Sequence, residues 1–378
     1  MPTQEPAFTV GIEEEYLLVD RETRDLVQDP PEAMLRECAE LLDGRATPEF
    51  LRSQLEVGTR VASSIADLRE DLSGLRRVVG QVADSHGIAF IAASTHPFAS
   101  WPDQLHTDHD RYNMLAEDLQ AVVRRLLICG MHVHVGIAED NVRIDLMNQV
   151  TYFLPHLLAL SGSSPYWSGI DSGLKSYRTT VFRSMPRTGL PTYFTSWAEY
   201  RRHVQALVET GVIEDATKVW WDLRPSDRYP TLEMRSTDIC TRLDDSITVA
   251  ALYVSLLRML WSRRRMNQKW RIYAHMLIQE NVWRAQRYGT SGSLIDFGKG
   301  ELVPFAELVD EIIELVAEDA EALGCLEEVQ NARNIVNRGT SADRQRMAYQ
   351  AAVAGGASDA EALQAVVDFL IAETLLGT

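Results

Sequence analysis

The chain has 378 residues, enough for one large domain or two of ordinary size. It is 46% apolar and 24% charged, which indicates a folded globular protein. Acidic residues outnumber basic ones, 54 to 37, and the formal net charge of −17 disfavours a nucleic-acid partner, because such a surface repels phosphates. The four cysteines are widely separated and form no Cys-x-x-Cys motif, so we expect reduced thiols and no zinc ribbon.

The sequence predicts neither a signal peptide nor a membrane span. The first ten residues lack a basic region followed by an apolar one, so we expect no signal peptide. No run reaches the ~18 uninterrupted apolar residues that a membrane span needs. The sequence therefore predicts a cytoplasmic protein without a membrane partner.

The first half of the chain mixes predicted strands with predicted helices. Apolar residues alternate in the strand segments and recur at helical spacing in the others. Taken in order, we predict a strand at 8–19, a helix at 31–43, strands at 53–59 and 87–95 around a helix at 65–86, a helix at 110–127, a strand within 128–137 and a helix at 143–160.

The second half begins with a long segment, 161–192, that is rich in Ser, Gly, Pro and Tyr and is predicted to be a loop. Loops of that length usually carry function or are disordered. A helix follows, then a strand, a turn at 225–227 and a second strand within 220–238. After residue 244 the pattern is almost entirely helical, with breaks near 288–300, 339 and 354–357. Strands first, at hairpin spacing, and helices later predict an α+β fold with a largely antiparallel sheet.

Charged residues and histidines interrupt four of the apolar, strand-like segments. Residues two apart in a strand point to the same face of its sheet, so each pair of these residues shares a face. The pairs are Glu13 and Glu15, His132 and His134, and Glu233 and Arg235, and the single acids are Glu56 and, seven residues earlier, Glu49.

Each of these features alone is compatible with a half-exposed strand or a surface ion pair. Together they favour a shared site, because isolated charges in an apolar core cost several kcal/mol unless they are paired or bind metal. Carboxylates with an imidazole suit Mg²⁺ or Mn²⁺ better than zinc. Several carboxylates holding two or three such ions can bind nucleotide phosphates without a glycine-rich loop.

No glycine-rich phosphate-binding loop is present in the sequence. Neither GxxxxGK[ST] nor GxGxxG occurs, and GIDSGLKS has the wrong spacing. If the protein uses ATP, metal ions and basic side chains must therefore bind the phosphates. The long loop supplies candidates, although a basic surface loop is the plainer interpretation of this segment alone. The candidates are Lys175, Arg178, Arg183 and Arg187.

The sequence resembles the type 2 glutamate–cysteine ligases, also called YbdK-like carboxylate–amine ligases, of the glutamine synthetase superfamily. The resemblance rests on the order and spacing of six segments between residue 8 and about residue 245, and the helical tail is also similar. The segments are GIEEEYLLVD, RSQLEVGT, STHPF, GMHVHVGI, FRSMPRTGLP and LEMRSTD.

The resemblance implies a curved antiparallel sheet that forms a funnel, in a single catalytic domain over 8–378 whose part 245–378 is mainly helical. It places His134 near the transferred phosphate, Arg235 on a phosphate or carboxylate, and the loop arginines, Arg187 among them, near phosphate and substrate. It implies metal ligands at Glu13, Glu15, Glu49, Glu56, His132 and Glu233.

The implied reaction is ATP-dependent amide formation, in which the γ-carboxylate of glutamate is activated as an acyl phosphate and coupled to an amine such as cysteine. The amine pocket cannot be assigned from the sequence, and the acid could differ from glutamate. A metal-dependent amide or ester hydrolase and a non-catalytic metabolite-binding relative are the alternatives.

A homodimer is a further expectation. Adenine could stack on one of five aromatic residues, for which packing is the preferred interpretation: Tyr16, Trp167, Tyr177, Trp220 and Trp221.

Overall fold

The computed structural model describes residues 4–378, apart from the side chains at 111 and 115. Its strands are β1 Val10–Asp20, β2 Ala46–Pro48, β3 Gln54–Gly58, β4 Ile88–Ile91, β5 Gly130–Gly136, β6 Tyr166–Trp167, β7 Ile170–Asp171, β8 Thr188–Gly189, β9 Trp220–Trp221, β10 Leu223–Pro225, β11 Thr231–Asp238, β12 Ser293–Asp296 and β13 Glu301–Pro304. Its α-helices are α1 Glu32–Leu41, α2 Ile65–Ser85, α3 Asp110–Leu119, α4 Ala121–Arg124, α5 Asp140–Val150, α6 Leu154–Ser161, α7 Tyr177–Phe182, α8 Trp197–Glu209, α9 Leu243–Arg265, α10 His275–Tyr288, α11 Phe305–Ala322, α12 Leu326–Gln330, α13 Ala332–Arg338, α14 Ser341–Ala354 and α15 Asp359–Thr374.

Seven strands form one antiparallel sheet in the order β10-β11-β5-β1-β3-β2, with β4 also paired to β1. The long strand β1 is central, since β3 pairs with it on one side and β5 and β4 pair with it on the other. Helices make up most of the regular structure outside this sheet. The predicted α+β class with a largely antiparallel sheet is therefore confirmed.

Several predicted boundaries differ from the structure for local reasons. The helix predicted at 143–160 is two helices, α5 and α6, because Pro155 lies at the start of the second and cannot continue a hydrogen-bond ladder. The helix predicted at 110–127 is divided at Gln120, which has a φ of 48°. The long loop contains a short helix, α7. The break near 288–300 leads into a β-hairpin, β12–β13, that the sequence pattern did not reveal.

The sheet face away from the polar residues packs against helices α2 and α9 in a continuous apolar core. The core extends from Phe8 in front of β1 to Leu370 in α15, so the sheet and the helical tail bury apolar surface together. The single domain over 8–378 stays a prediction, which this shared core supports. All four cysteines are buried and free, as their spacing predicts.

A buried ion pair between Glu14 and Arg76 ties β1 to α2. Both side chains are fully buried, and the guanidinium of Arg76 binds both carboxylate oxygens of Glu14, at 2.9 and 2.7 Å. Ser246 of α9 and Tyr16 also donate to that carboxylate, each at 2.7 Å. The remaining donors of Arg76 reach the carbonyl oxygens of Cys240, Thr241 and Thr374.

These contacts satisfy a pair of charges that would otherwise be costly to bury. Because the carbonyls come from the segment before α9 and from the end of α15, one guanidinium joins the central strand to distant parts of the chain.

No helix among residues 4–378 combines the length and the apolar character needed to cross a lipid bilayer.

We expect Arg76→Met to lower the free energy of unfolding by about 3–5 kcal/mol, because it leaves the Glu14 carboxylate buried without its counter-charge. Urea denaturation would measure the change. Arg60→Met is the control: its pair with Asp43 is exposed, at 3.3 Å, and we expect less than about 1 kcal/mol. Adding Glu14→Leu to Arg76→Met should restore part of the loss. Equal small effects of Arg76→Met and Arg60→Met would contradict this role.

Candidate active site

The polar residues predicted to share a strand face do share one. Strand alternation points Glu13 and Glu15 of β1 away from the core, whereas Glu14 between them points into it. Antiparallel register then brings the outward residues of neighbouring strands opposite one another. The directly opposed pairs are Glu13 with His132, Glu15 with Glu56, His134 with Glu233, and Glu233 with Arg224.

His132 lies between the two outward glutamates of β1. Its Nδ1 is 3.2 Å from Oε2 of Glu13, and its Nε2 is 3.8 Å from Oε1 of Glu15. The other oxygen of Glu15 accepts a 2.6 Å hydrogen bond from the backbone N–H of Gly130. The imidazole is buried, and the carboxylates on both of its sides fix its orientation.

His134 lies one step further along β5 and turns its Nε2 into the same cluster. Its Nδ1 is 3.0 Å from the hydroxyl of Thr231, which leaves Nε2 facing Oε1 of Glu13 at 3.5 Å. That nitrogen is buried and has no hydrogen-bond partner among the described residues. A buried imidazole nitrogen without a partner is a candidate metal ligand.

A β-bulge in β11 places Arg235 in the cluster. The register between β11 and β5 shifts by one residue between Met234 and Thr237, opposite His132. Bulges of this kind change the direction in which a side chain points. Arg235 binds Oε1 of Glu233 and lies 3.4 Å from Nδ1 of His132.

The pKa values of the two carboxylates nearest the centre of the acidic group are raised. Burial and the Glu49 carboxylate raise the pKa of Glu15 to about 7. Burial and the carboxylates of Glu49 and Glu13 hold the pKa of Glu56 well above its ordinary value. These acids therefore lack sufficient positive charge from the protein itself, and a divalent cation would supply it.

The carboxylates beside histidines and arginines behave in the opposite way. Burial alone would raise the pKa of Glu13, but His132 and His134 outweigh burial and hold it well below its ordinary value. Burial would also raise the pKa of Glu233, but the positive charges of Arg235 and Arg224 outweigh burial and lower that pKa. Burial, assisted by Arg235, lowers the pKa of His132 to about 4. A neutral imidazole next to ionised carboxylates is the form that binds a metal.

Three overlapping sets of side chains could each hold an ion, since one atom from each member lies within 4.8 Å of the others. Glu13 and Glu56 each belong to two sets, so the sets form one continuous cluster. The sets are Glu13, His134 and Glu233; Glu13, Glu56 and His132; and Glu15, Glu49 and Glu56. Their donors are carboxylate oxygens and imidazole nitrogens, which fit Mg²⁺ or Mn²⁺.

The cluster lines a cavity of about 700 Å³ with two chemically different ends. One end adjoins Glu15 and Glu49 and is walled by Phe50 and Tyr112, whose hydroxyl is 3.1 Å from Oε2 of Glu49. The other end, toward β10 and β11, adjoins Glu233 and is mainly basic; it is lined by Lys218, Arg224, Arg228 and Arg235 together with the acid Asp227.

Of the four cations predicted from the long loop, the structure brings only Arg178 to this cavity. Lys175 is bound to Asp343 and lines a separate pocket, and Arg183 binds Asp222 and Gln279. Arg187 does not line the cavity and lies behind Trp220, with its guanidinium carbon 5.2 Å from the ring centroid. These partners are distant in sequence, so spacing alone could not predict the pairings.

Arg224 is a site residue that the sequence pattern did not reveal. Its Nε is 2.9 Å from Oε2 of Glu233, so Glu233 is held by two arginines. Its Nη1 donates to the carbonyls of Thr217 and Val219, at 2.9 and 2.8 Å. The sequence offered only part of this signal: the two predicted strands imply a hairpin, but the turn predicted at 225–227 does not give the register that places Arg224 opposite Glu233.

Residues 9–368 match the family described as glutamate–cysteine ligase family 2. The chain belongs to this family. A relative from Rhodospirillum rubrum, which carries the provisional name glutamate–cysteine ligase 2, is 61% identical over 376 residues, or 98% of this chain and 97% of the relative. The family predicted from the six sequence segments is therefore confirmed.

Two solved structures share the fold at low sequence identity. A bifunctional glutathione synthetase from Pasteurella multocida aligns with a TM-score of 0.70 at 15% identity, over 97% of this chain and 52% of its own, so this family member spans about half of that enzyme. A glutamate–cysteine ligase from Francisella tularensis, solved in complex with AMP, aligns with a TM-score of 0.68 at 13% identity, over 99% and 90% of the chains. The predicted glutamine synthetase-like fold is thereby confirmed.

We expect Glu13→Gln to weaken Mn²⁺ binding more than Glu49→Gln, because Glu13 belongs to two of the three ligand sets and Glu49 to one. The loss should exceed about tenfold, since even groups that only support a ligand are worth about 10–100-fold. Electron paramagnetic resonance of free Mn²⁺ would measure it, with exposed Glu32→Gln as the control. Equal losses for Glu13→Gln and Glu32→Gln would contradict the assignment.

Proposed function

We propose that this cavity carries out ATP-dependent ligation of a carboxylic acid to an amine. The observation that supports it best is that one cavity holds both the acidic cluster and five lysine or arginine side chains, although no glycine-rich phosphate loop is present. Family membership agrees with a ligase, and the prediction of an ATP-dependent carboxylate–amine ligase is confirmed at that level.

Two or three divalent ions, Mg²⁺ or Mn²⁺, are proposed to occupy the three ligand sets. The structural fit rests on the oxygen-rich donors, the raised pKa values of Glu15 and Glu56, and the buried Nε2 of His134, which has no hydrogen bond within the described part of the chain. Bound there, the ions would neutralise phosphate charge and polarise phosphoryl oxygens.

The basic end of the cavity is proposed to receive the triphosphate. Arg235 and Arg224 already hold Glu233 there, and Arg178 also lines the cavity. Planar guanidinium groups match the equatorial oxygens of a transferring phosphoryl group. These contacts are preformed by the sheet and the bulge, so little reorganisation is needed as charge moves during the reaction.

The acidic end is proposed to receive the acid and the amine. An oxygen of the substrate carboxylate, which we take to be the γ-carboxylate of glutamate, bonds to the γ-phosphorus as the bridge to ADP breaks. The amine nitrogen then bonds to the acyl carbon, phosphate leaves, and the nitrogen loses a proton. Attack of the anionic carboxylate on the anionic triphosphate is disfavoured by charge repulsion. The site must therefore accelerate the reaction by aligning the two substrates and by neutralising phosphate charge.

Cysteine as the acceptor, the number of ions, a homodimer and a cytoplasmic location remain predictions. Among the residues predicted from the sequence, Lys175, Arg183 and Arg187 are supported less than the rest. Lys175 and Arg183 are each engaged by an acid outside the cavity, and Arg187 does not line it. The hydrolase alternative uses the same acidic cluster but gives no reason for the basic end of the cavity.

Amine- and glutamate-dependent release of ADP is the expected activity, measured with Mg²⁺-ATP, glutamate and a panel of amines including cysteine, with mass spectrometry of the products. We expect Arg235→Lys to lower kcat by about 10²–10³-fold, because a point charge replaces a planar donor aimed at the phosphates. Arg346→Lys is the control, since Arg346 pairs with Asp171 outside the cavity.

The outcomes of this assay separate the alternatives. Release of ADP with glutamate but no amine product would mean that the phosphoryl step is correct and the acceptor is still missing. Failure of the wild-type protein both to bind nucleotide and to release ADP would defeat the ligase proposal, and amide or ester hydrolysis would then be tested.

A further inference from the structure

Trp220 lies at the basic end of the cavity with one of its ring faces covered by an arginine. Its indole lines the cavity, and the guanidinium carbon of Arg187 is 5.2 Å from its ring centroid. Within the described part of the chain, Trp220 has no other aromatic or cationic ring contact, unlike Trp221, which packs against Phe194 and Tyr200.

Arg187 is held in an unusual conformation that fits this contact. Its φ of 58° lies in the left-handed region, which a long side chain rarely adopts. Its carbonyl accepts the N–H of Trp220 at 3.0 Å, and its Nε donates to the carbonyl of Lys218 at 2.9 Å. One residue thus contacts both ends of the segment 218–220, and backbone strain retained in this way often marks a functional position.

The indole is also tied to the cluster of proposed metal ligands. Arg224 binds the carboxylate of Glu233 and, through Nη1, the carbonyl of Val219, the residue directly before Trp220. The backbone directly before the ring is therefore held by the same guanidinium that binds Glu233. A planar surface next to a phosphate-binding wall is suited to a ligand with an aromatic group at one end and phosphates at the other.

We propose that Trp220, supported from behind by Arg187, is the surface on which the nucleotide base stacks. This inference rests on the proposed ATP-dependent function and adds to it the location of the base. Aromatic bases stack on indole rings with little dependence on base identity, and a guanidinium on the opposite ring face adds a cation–π contact. Arg187 is then a positioning residue, which explains why it does not line the cavity.

The test is calorimetric binding of ADP and of tripolyphosphate, each with Mg²⁺, to the full chain. Trp220→Leu should raise the Kd for ADP by about tenfold, within the range that one stacked base contributes, and leave tripolyphosphate binding unchanged. Trp220→Phe should keep most of the ADP affinity. Arg187→Gln should weaken ADP binding in the same direction, by less than Trp220→Leu. Trp221→Leu, the matched control, should bind both ligands as the wild type does.

Unchanged ADP binding by Trp220→Leu would overturn the inference and leave the proposed function standing. An equal loss of ADP and tripolyphosphate binding would also overturn it, because the residue would then act on the phosphates or on the fold. If the wild type binds neither ligand, the proposed function itself fails, and the inference fails with it.

Discussion

The alternation of three consecutive glutamates in β1 is the constraint on which the rest of the structure depends. Glu14 turns into the core and is neutralised by Arg76, whose guanidinium also reaches carbonyls from distant segments. Glu13 and Glu15 must then turn outward into the cavity. A shift of β1 by one residue would bury two carboxylates without a partner and remove two from the site, so the buried ion pair also fixes the register of the cluster.

The cavity is organised by an imbalance of charge. At one end, carboxylates crowd together and the pKa of Glu15 rises to about 7. At the other end, Glu233 has two arginines. A metal-bound triphosphate has the complementary arrangement, because its cations can lie on the acids while its oxygens face the arginines. The antiparallel sheet supplies rigid positions for most of these groups, which suits chemistry that depends on alignment.

The periodic parts of the sequence predicted most of the site. Period-two spacing placed Glu13 with Glu15 and His132 with His134 on shared faces, and the structure joins them across one sheet. Spacing could not predict the partners of Lys175, Arg183 and Arg187, because those partners lie far away in the chain. Arg224 was missed because a single arginine in a hairpin has meaning only once its register is known.

The most direct test of the central idea is diffraction from crystals grown with Mn²⁺ and a non-hydrolysable ATP analogue. Anomalous scattering locates the ions independently of the protein's own atoms. We expect at least two anomalous peaks, coordinated by members of the ligand sets that contain Glu13 and by phosphate oxygens. Peaks confined to other parts of the molecule, or a nucleotide bound away from Glu13, His134 and Glu233, would contradict this arrangement.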